Sequence, residues 1–171
     1  MNREMPLKEK DLKEVLYFQI TDLWRRLCEE HSILFDLTCD EYSLLLKSDL
    51  DLIEAKTAEK EEVITRINLL ERMRSEIIES LDKHSGKKFE SISELISYMS
   101  DLSFEQEQKH LFRFNALLLD IIEKIQAQNK KNQLFINKAI LSLRELRQEA
   151  LGSKNYSTYN SKGSTRLHTS G

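Results

Sequence analysis

The body of this chain contains almost none of the residues that form tight turns. Residues 1–151 hold one glycine, Gly86, and one proline, Pro6, whereas the other three glycines follow Leu151. Average usage is roughly 7% glycine and 5% proline, and β-sandwiches and doubly wound α/β folds draw heavily on both residues for their many turns. The scarcity argues against those folds and predicts long, uninterrupted helices.

Apolar residues recur at helical spacing along this body, which predicts four helices. Thr38-Cys-Asp-Glu41 matches a capping box, but the apolar period continues through it, so we expect no break there. The other boundaries are marked by Pro6 in a first turn, by Ser48, Ser91 and Ser103 as N-caps, and by Gly86 as a stop. The predicted helices span about 7–47, 48–85, 91–100 and 103–151.

The predicted fold is all-α, with long antiparallel helices forming a coiled-coil-like bundle. We expect a helical domain over residues 1–151 and a flexible basic tail over 152–171, since the tail is too polar to offset its ordering entropy. The tail carries +3 and the body −6. A mildly acidic body argues against non-specific binding of nucleic acid, which needs a basic face.

Nothing in the sequence suggests a membrane or a secreted protein. The first residues have no apolar stretch of the kind found in secretory signals, and the longest apolar run, Ala116–Leu119, is far shorter than the ~20 residues of a membrane span. Cys28 and Cys39 do not resemble a disulfide framework. We expect a cytoplasmic protein with two reduced thiols and no membrane insertion.

Candidate catalytic and metal sites are weak. Glu107 and His110 form one Glu-x-x-His pair, whereas a di-iron bundle needs two such pairs and two further carboxylates. Cys28, His31 and Cys39 supply three of the four ligands of a structural zinc site, with unsuitable spacing. We therefore expect no catalytic residues, no metal, no cofactor and no enzymatic activity.

The last predicted helix carries two apolar arcs when successive residues are placed about 100° apart. The broad arc is predicted to be the core face, and its members are Leu111, Phe114, Leu117, Leu118, Ile121, Ile122, Ile125, Phe135, Ile136, Ala139, Ile140, Leu143, Leu146 and Ala150. The second arc consists of Phe112, Leu119, Leu134 and Leu141. It either packs on another helix of this chain or forms a seam for a partner helix, most strongly along 134–151.

Residues 33–78 resemble the FlgN family of flagellar export chaperones. The matching positions are Asp49, Leu50, Thr57, Ala58, Glu59, Lys60, Leu70, Glu71 and Arg74. Asn129 and Asn132 before Leu134 resemble the family's Asn-x-x-Asn-x-Leu region, and Tyr159–Gly163 resembles its Tyr-x-x-x-Gly tail. The likeness covers most of 7–163 apart from 84–103. We interpret Lys60, Glu71 and Arg74 as structural residues.

The resemblance implies a cytoplasmic chaperone that binds C-terminal helical segments of the hook–filament junction (hook-associated) proteins, keeps them from associating too early and delivers them to the type III export gate. Client contact would map to about Leu134–Leu151, with Leu134, Ile140, Leu141, Leu143 and Leu146 as binding residues. Tyr159 would dock on the export-gate receptor. Such a protein would be a monomer or a weak homo-oligomer. The alternative is a self-associating helical scaffold or adaptor, in which the same stripes close a homo-oligomer.

Overall fold

The computed structural model describes residues 7–99 and 105–154, with side chains over 11–99 and 109–152. Every regular element within these ranges is an α-helix, which confirms the all-α prediction. The helices are α1 (Leu7–Lys47), α2 (Leu50–Ser85), α3 (Ile92–Met99) and α4 (Glu105–Lys154).

Helix α1 runs without a break through Thr38, as predicted. The Thr38 hydroxyl donates to the carbonyl oxygen of Leu34 at 2.7 Å, one turn earlier in the same helix. The side chain is 0% exposed, so this bond within the helix satisfies a buried hydroxyl that would otherwise carry a desolvation cost. The pattern at Thr38 that matches a capping box therefore lies inside a continuous helix and does not begin a new one.

The tight turn between α1 and α2 lies where the sequence predicted it, but the N-cap differs. Ser48 has a φ of 56°, in the left-handed region, and the N-cap is Asp49, one residue after the expected Ser48. The Asp49 carboxylate accepts from the backbone N–H of Leu52 at 3.2 Å. The correction has a simple reason: Ser48 makes the turn, so the next polar residue caps the helix.

The remaining described boundaries follow the predicted signals. Gly86 has a φ of 66°, and its N–H donates to the carbonyl oxygen of Asp82 at 3.0 Å, which ends α2. The Ser91 hydroxyl accepts from the N–H of Glu94 at 3.2 Å at the start of α3. Helix α4 continues to Lys154, three residues beyond the expected end at Leu151. Pro6, the Ser103 cap, Ser100 and most of the tail, from 155, lie outside the described residues.

Helices α1 and α2 form an antiparallel pair. Ion pairs join Lys60 to Glu41 at 2.8 Å and Arg66 to Glu30 at 3.0 Å, so residue numbers rise along α2 as they fall along α1. The Lys60–Glu41 pair is the more enclosed, with side chains 14% and 15% exposed. Partial burial strengthens such a pair relative to a fully exposed one, so this contact helps to set the register of the two helices.

Helix α4 contributes its first half to the core. Leu111, Leu118, Ile121 and Ile125 are at most 8% exposed and join a cluster with α1, α2 and α3. Trp24 of α1, 3% exposed, donates from Nε1 to the side-chain oxygen of Asn115 at 3.0 Å. Its ring also lies 5.3 Å from the guanidinium of Arg74, so one side chain ties α1 to both α2 and α4.

The chain divides into two compact units, Met1–Asn129 and Lys130–Gly171. The hydrophobic core just described belongs to the first unit. In the second unit the described part is the last half of α4, residues 130–154. The predicted division at residues 151 and 152 stays a prediction.

Candidate functional site

The last part of α4 presents apolar side chains to solvent. Every residue from 137 to 151 is exposed. Five of them are large and apolar, with exposed fractions between 42% and 66%: Ile140, Leu141, Leu143, Leu146 and Leu151. Single exposed leucines are common on protein surfaces, but Ile140, Leu143, Leu146 and Leu151 lie on one side of the helix and form an apolar strip, whereas Leu141 lies on another side. We call residues 137–151 the exposed segment.

The predicted core face of α4 is mostly buried in the first half of the helix and mostly exposed in the second half. Leu111 and Ile125 are buried as expected, whereas Ile140, Leu143 and Leu146 in the same arc are more than 40% exposed. Leu117, Ala139 and Ala150 are exposed as well. Helical periodicity shows which face of a helix is apolar, but it does not show whether that face packs against another part of the same chain.

The second arc is exposed along its whole length. Phe112, Leu119, Leu134 and Leu141 have exposed fractions between 54% and 58%. These values contradict the alternative in which the arc packs on another helix of this chain. Phe112 and Leu119 belong to the first unit, and Leu134 and Leu141 belong to the second.

The five predicted binding residues are all exposed, but they lie on two sides of α4. At about 100° per residue, Leu134 and Leu141 share one side, and Ile140, Leu143 and Leu146 lie across the helix from them. Leu151 ends the predicted contact range but was not among the predicted binding residues; it is 53% exposed and lies beside Ile140. Its position eight residues after Leu143, close to two helical turns, was the available signal.

The polar stretch before the exposed segment contains one buried residue. Asn132 is 2% exposed, although its neighbours Lys131 and Gln133 are exposed. The Gln133 amide donates to the side-chain oxygen of Asn137 at 3.0 Å along the helix surface. Composition alone does not distinguish Asn132 from the other amides of this stretch. Its position does, because at about 100° per residue Asn132 lies on the same side of α4 as the buried Ile125.

Lys60, Glu71 and Arg74 have the structural contacts that the sequence interpretation expected. Lys60 pairs with Glu41 across the α1–α2 interface. Arg74 pairs with Glu71 and lies over the Trp24 ring. The contacts of Lys60 with Glu41 and of Arg74 with Trp24 join α2 to α1 within the first unit, whereas the pair of Arg74 with Glu71 lies within α2.

The remaining candidate catalytic and metal-binding residues do not cluster in the described part of the chain. No group of three His, Cys, Asp or Glu side chains suited to a metal lies within the part of the chain that the structure describes. His110 is exposed on α4, and the side chain of its predicted companion Glu107 lies outside the described side chains. Neither Cys28 nor Cys39 is in a disulfide. Within residues 7–99 and 105–154, no helix combines the length and hydropathy of a membrane span.

Cys28 marks the contact between α1 and α4. It is 5% exposed, and its thiol donates to the carbonyl oxygen of Phe114 at 3.2 Å. Burial raises the pKa of the Cys28 thiol above its usual value, with a smaller contribution from the charge of Glu29. The thiolate is the reactive form, so burial and pKa both protect this side chain.

We therefore expect iodoacetamide to label Cys28 at least about tenfold more slowly than Cys39 at pH 8, because less thiolate forms and access is blocked. The labelling rate of Cys28 should rise as the pH is raised through its elevated pKa. Mass spectrometry of timed aliquots measures both rates, with labelling in denaturant as the control in which the difference disappears. Equal rates in the native protein would show that α1 and α4 do not enclose Cys28.

Comparison with known proteins gave one match. The family model described as FlgN protein matches residues 15–166, a range that includes α1 from Val15 onwards, all of α2 and α3, and the whole of α4. No curated protein matches the chain, and no solved structure matches it. The match covers both the enclosed ion pair of Lys60 and the exposed segment.

Proposed function

Because the chain belongs to the FlgN family of flagellar type III export chaperones, we propose that it binds C-terminal helical segments of hook–filament junction proteins. In this proposal it acts in the cytoplasm, keeps these clients from associating too early and delivers them to the receptor of the export gate. The sequence resemblance stated above supports these finer assignments, and the family match supports the general role.

One observation carries the proposal: residues 137–151 are exposed throughout and include five large apolar side chains. An amphipathic helix of a client can cover such a strip with its own apolar face. Apolar area removed from water contributes roughly 25 cal/mol per Å². Binding of this kind needs no cofactor and no bond-breaking chemistry, which suits a chaperone that holds and then releases its client.

The binding surface in this proposal comprises Leu134, Ile140, Leu141, Leu143 and Leu146. Their distribution over two sides of α4 means that a client covering all five must wrap around the helix or contribute two segments. A client ordered on binding loses conformational entropy, which limits affinity without reducing specificity. Such a complex can be both selective and reversible.

Isothermal titration calorimetry with the full chain tests the proposal. The titrants are the C-terminal segments of the two hook–filament junction proteins, and a scrambled sequence of the same composition is the control. We expect binding to at least one segment with a negative heat-capacity change, which is the mark of apolar burial. Absence of binding to both segments would refute the proposal.

The resemblance also assigns export-gate docking to Tyr159, which lies outside the described residues. We expect Tyr159→Ala to leave client affinity unchanged and to reduce export of the client from cells several-fold, because client and receptor would use different parts of the chain. Tyr156→Ala, three residues earlier in the tail, is the matched control and should export normally. Unchanged export in Tyr159→Ala would remove this role.

A self-associating scaffold is the second candidate, and the same exposed segment favours it. A second copy of the chain would then cover the strip in a stable oligomer. Sedimentation velocity at several concentrations separates the two functions, since a chaperone should be a monomer or a weak homo-oligomer without its client. A stable oligomer that neither dilution nor client dissociates would favour the scaffold.

A further inference from the structure

Charge is distributed unequally between the two units of this chain. Residues 130–154 contain six basic and two acidic residues, a net charge of +4, whereas residues 1–129 contain 18 basic and 27 acidic residues, a net charge of −9. The exposed segment therefore lies in a basic stretch of a protein that is otherwise acidic. An approaching acidic molecule is attracted to this stretch and repelled by most of the remaining charge.

One arginine lies within the apolar strip, and a second lies at its edge. At about 100° per residue, Arg147 lies between Leu143 and Leu151, and Arg144 lies just beyond Leu151 on the same side. Both arginines are exposed, and neither takes part in any ion pair within the described residues. Two guanidinium groups that have no carboxylate partner among the described residues thus lie within the strip (Arg147) and at its edge (Arg144).

The acidic residues of the same segment lie elsewhere on the helix. Glu145 and Glu149 are separated from the two arginines by about 100° or more around α4, on the side nearer Leu134. They cannot neutralise the two arginines across the helix. The segment therefore combines an apolar strip that contains one arginine and is bordered by another with an acidic side away from it.

We propose that the exposed segment selects an acidic amphipathic helix, whose apolar stripe covers Ile140, Leu143 and Leu151 while its carboxylates pair with Arg144 and Arg147. This inference rests on the proposed function in placing the client on this segment, and it adds the chemical class of the client. Arginine suits the task because its planar fork binds a carboxylate through two hydrogen bonds. Charge complementarity of this kind sets selectivity and the rate of encounter.

A second copy of the chain suits this surface less well. Pairing the same segment of two copies in an isologous dimer places +4 against +4. Pairing the basic segment of one copy with the acidic first unit of the next is a head-to-tail contact, which generates an open chain of molecules unless the rotation closes a ring. A separate acidic helix avoids both the repulsion between like charges and the open-ended assembly.

Two synthetic 18-residue peptides test the proposal against the full chain. Both have leucine at the a and d positions of a heptad, and the flanking positions are glutamate in one peptide and lysine in the other. Fluorescence anisotropy measures their affinities at low and at moderate salt. We expect the glutamate peptide to bind at least about tenfold more tightly at low salt, with a smaller difference at moderate salt because exposed charges are screened.

Two double variants locate the effect. Arg144→Glu with Arg147→Glu should abolish or reverse the preference for the glutamate peptide. Lys130→Glu with Lys138→Glu changes the net charge by the same amount away from the two arginines, and it should keep at least about a threefold preference. Equal affinities for the two peptides, or equal losses in the two variants, would overturn the proposal.

Parallel measurements distinguish this proposal from the proposed function. If the junction-protein segments bind and the chain does not discriminate between the peptides, the charge inference alone is wrong. If the glutamate peptide binds with the expected preference and neither junction segment binds, the charge inference stands and the junction proteins are not the clients. A stable dimer that Arg144→Glu with Arg147→Glu dissociates would overturn the inference in favour of a second copy.

Discussion

The double variant Leu143→Asp with Leu146→Asp will lose at least about a hundredfold in affinity for its client segment. The two side chains are 66% and 61% exposed in the free chain, so a covering client removes most of their apolar surface from water. Full burial of a leucine side chain contributes about 1.5–3 kcal/mol, and about 1.4 kcal/mol corresponds to a factor of ten in affinity. Two buried carboxylates add a further desolvation cost.

Calorimetry with the same client segment measures the loss, and circular dichroism must show an unchanged helix content. A variant that loses helix would place these side chains in a folded contact and contradict the exposed strip. A helical variant with unchanged affinity would place the client elsewhere. Leu143→Ala with Leu146→Ala is the milder control. Its client affinity should fall between those of the unsubstituted chain and the aspartate double variant, because it removes apolar area without adding charge.

The pair Leu134→Asp and Leu141→Asp asks whether the client covers one side of α4 or both. If the client wraps around the helix, this double variant loses affinity to a similar degree. If its affinity is unchanged while Leu143→Asp with Leu146→Asp abolishes binding, Leu134 and Leu141 do not belong to the client surface. That result would remove Leu134 and Leu141 from the proposed binding surface and leave Ile140, Leu143 and Leu146 in it.

Trp24→Ala is expected to destabilise the bundle by about 3–5 kcal/mol. Large-to-small substitutions of buried aromatic residues typically cost this much, since the lost transfer free energy is augmented by the cavity left behind. Trp24 is 3% exposed, donates to Asn115 and lies beside the Arg74 guanidinium. Its removal weakens the contacts of α1 with α2 and α4 together.

Urea denaturation followed by circular dichroism measures this change, because the variant lacks the only tryptophan of the chain. The midpoint of thermal unfolding should fall by about 6–20 °C, given about 2–4 °C per kcal/mol for a chain of this size. Phe18→Ala is the matched control: Phe18 lies on the same helix and is 53% exposed, so its loss should change stability little. Equal effects of both substitutions would contradict the packing around Trp24.

Helix boundaries were predictable because their signals are local. Gly86 ends α2 through its own backbone conformation, and the continuity of α1 through Thr38 followed from the apolar period. The error at Ser48 arose because serine and aspartate are both good caps, and only the fold of the turn decides between them. Such choices depend on the three-dimensional path of the chain and not on the residue type.

Burial on α4 was predictable only in part. The same apolar spacing continues from Leu111 to Leu146, yet the first residue is 0% exposed and the last is 61% exposed. A face that evolved to meet a partner has the same pattern as a face that meets its own core. The absence of ion pairs at Arg144 and Arg147 among the described residues also needed the structure, since a sequence cannot show which charges lack partners.

Because residues 105–154 form one helix, its two halves need not nucleate separately. Starting a helix in water is improbable, with a nucleation parameter on the order of 10⁻³, whereas adding a residue to an existing helix is close to neutral. Core packing of Leu111 and Ile125 supplies the nucleus, and the exposed segment only propagates from it. In the proposed function a client meets a helix that is already formed, so only the client becomes ordered on association.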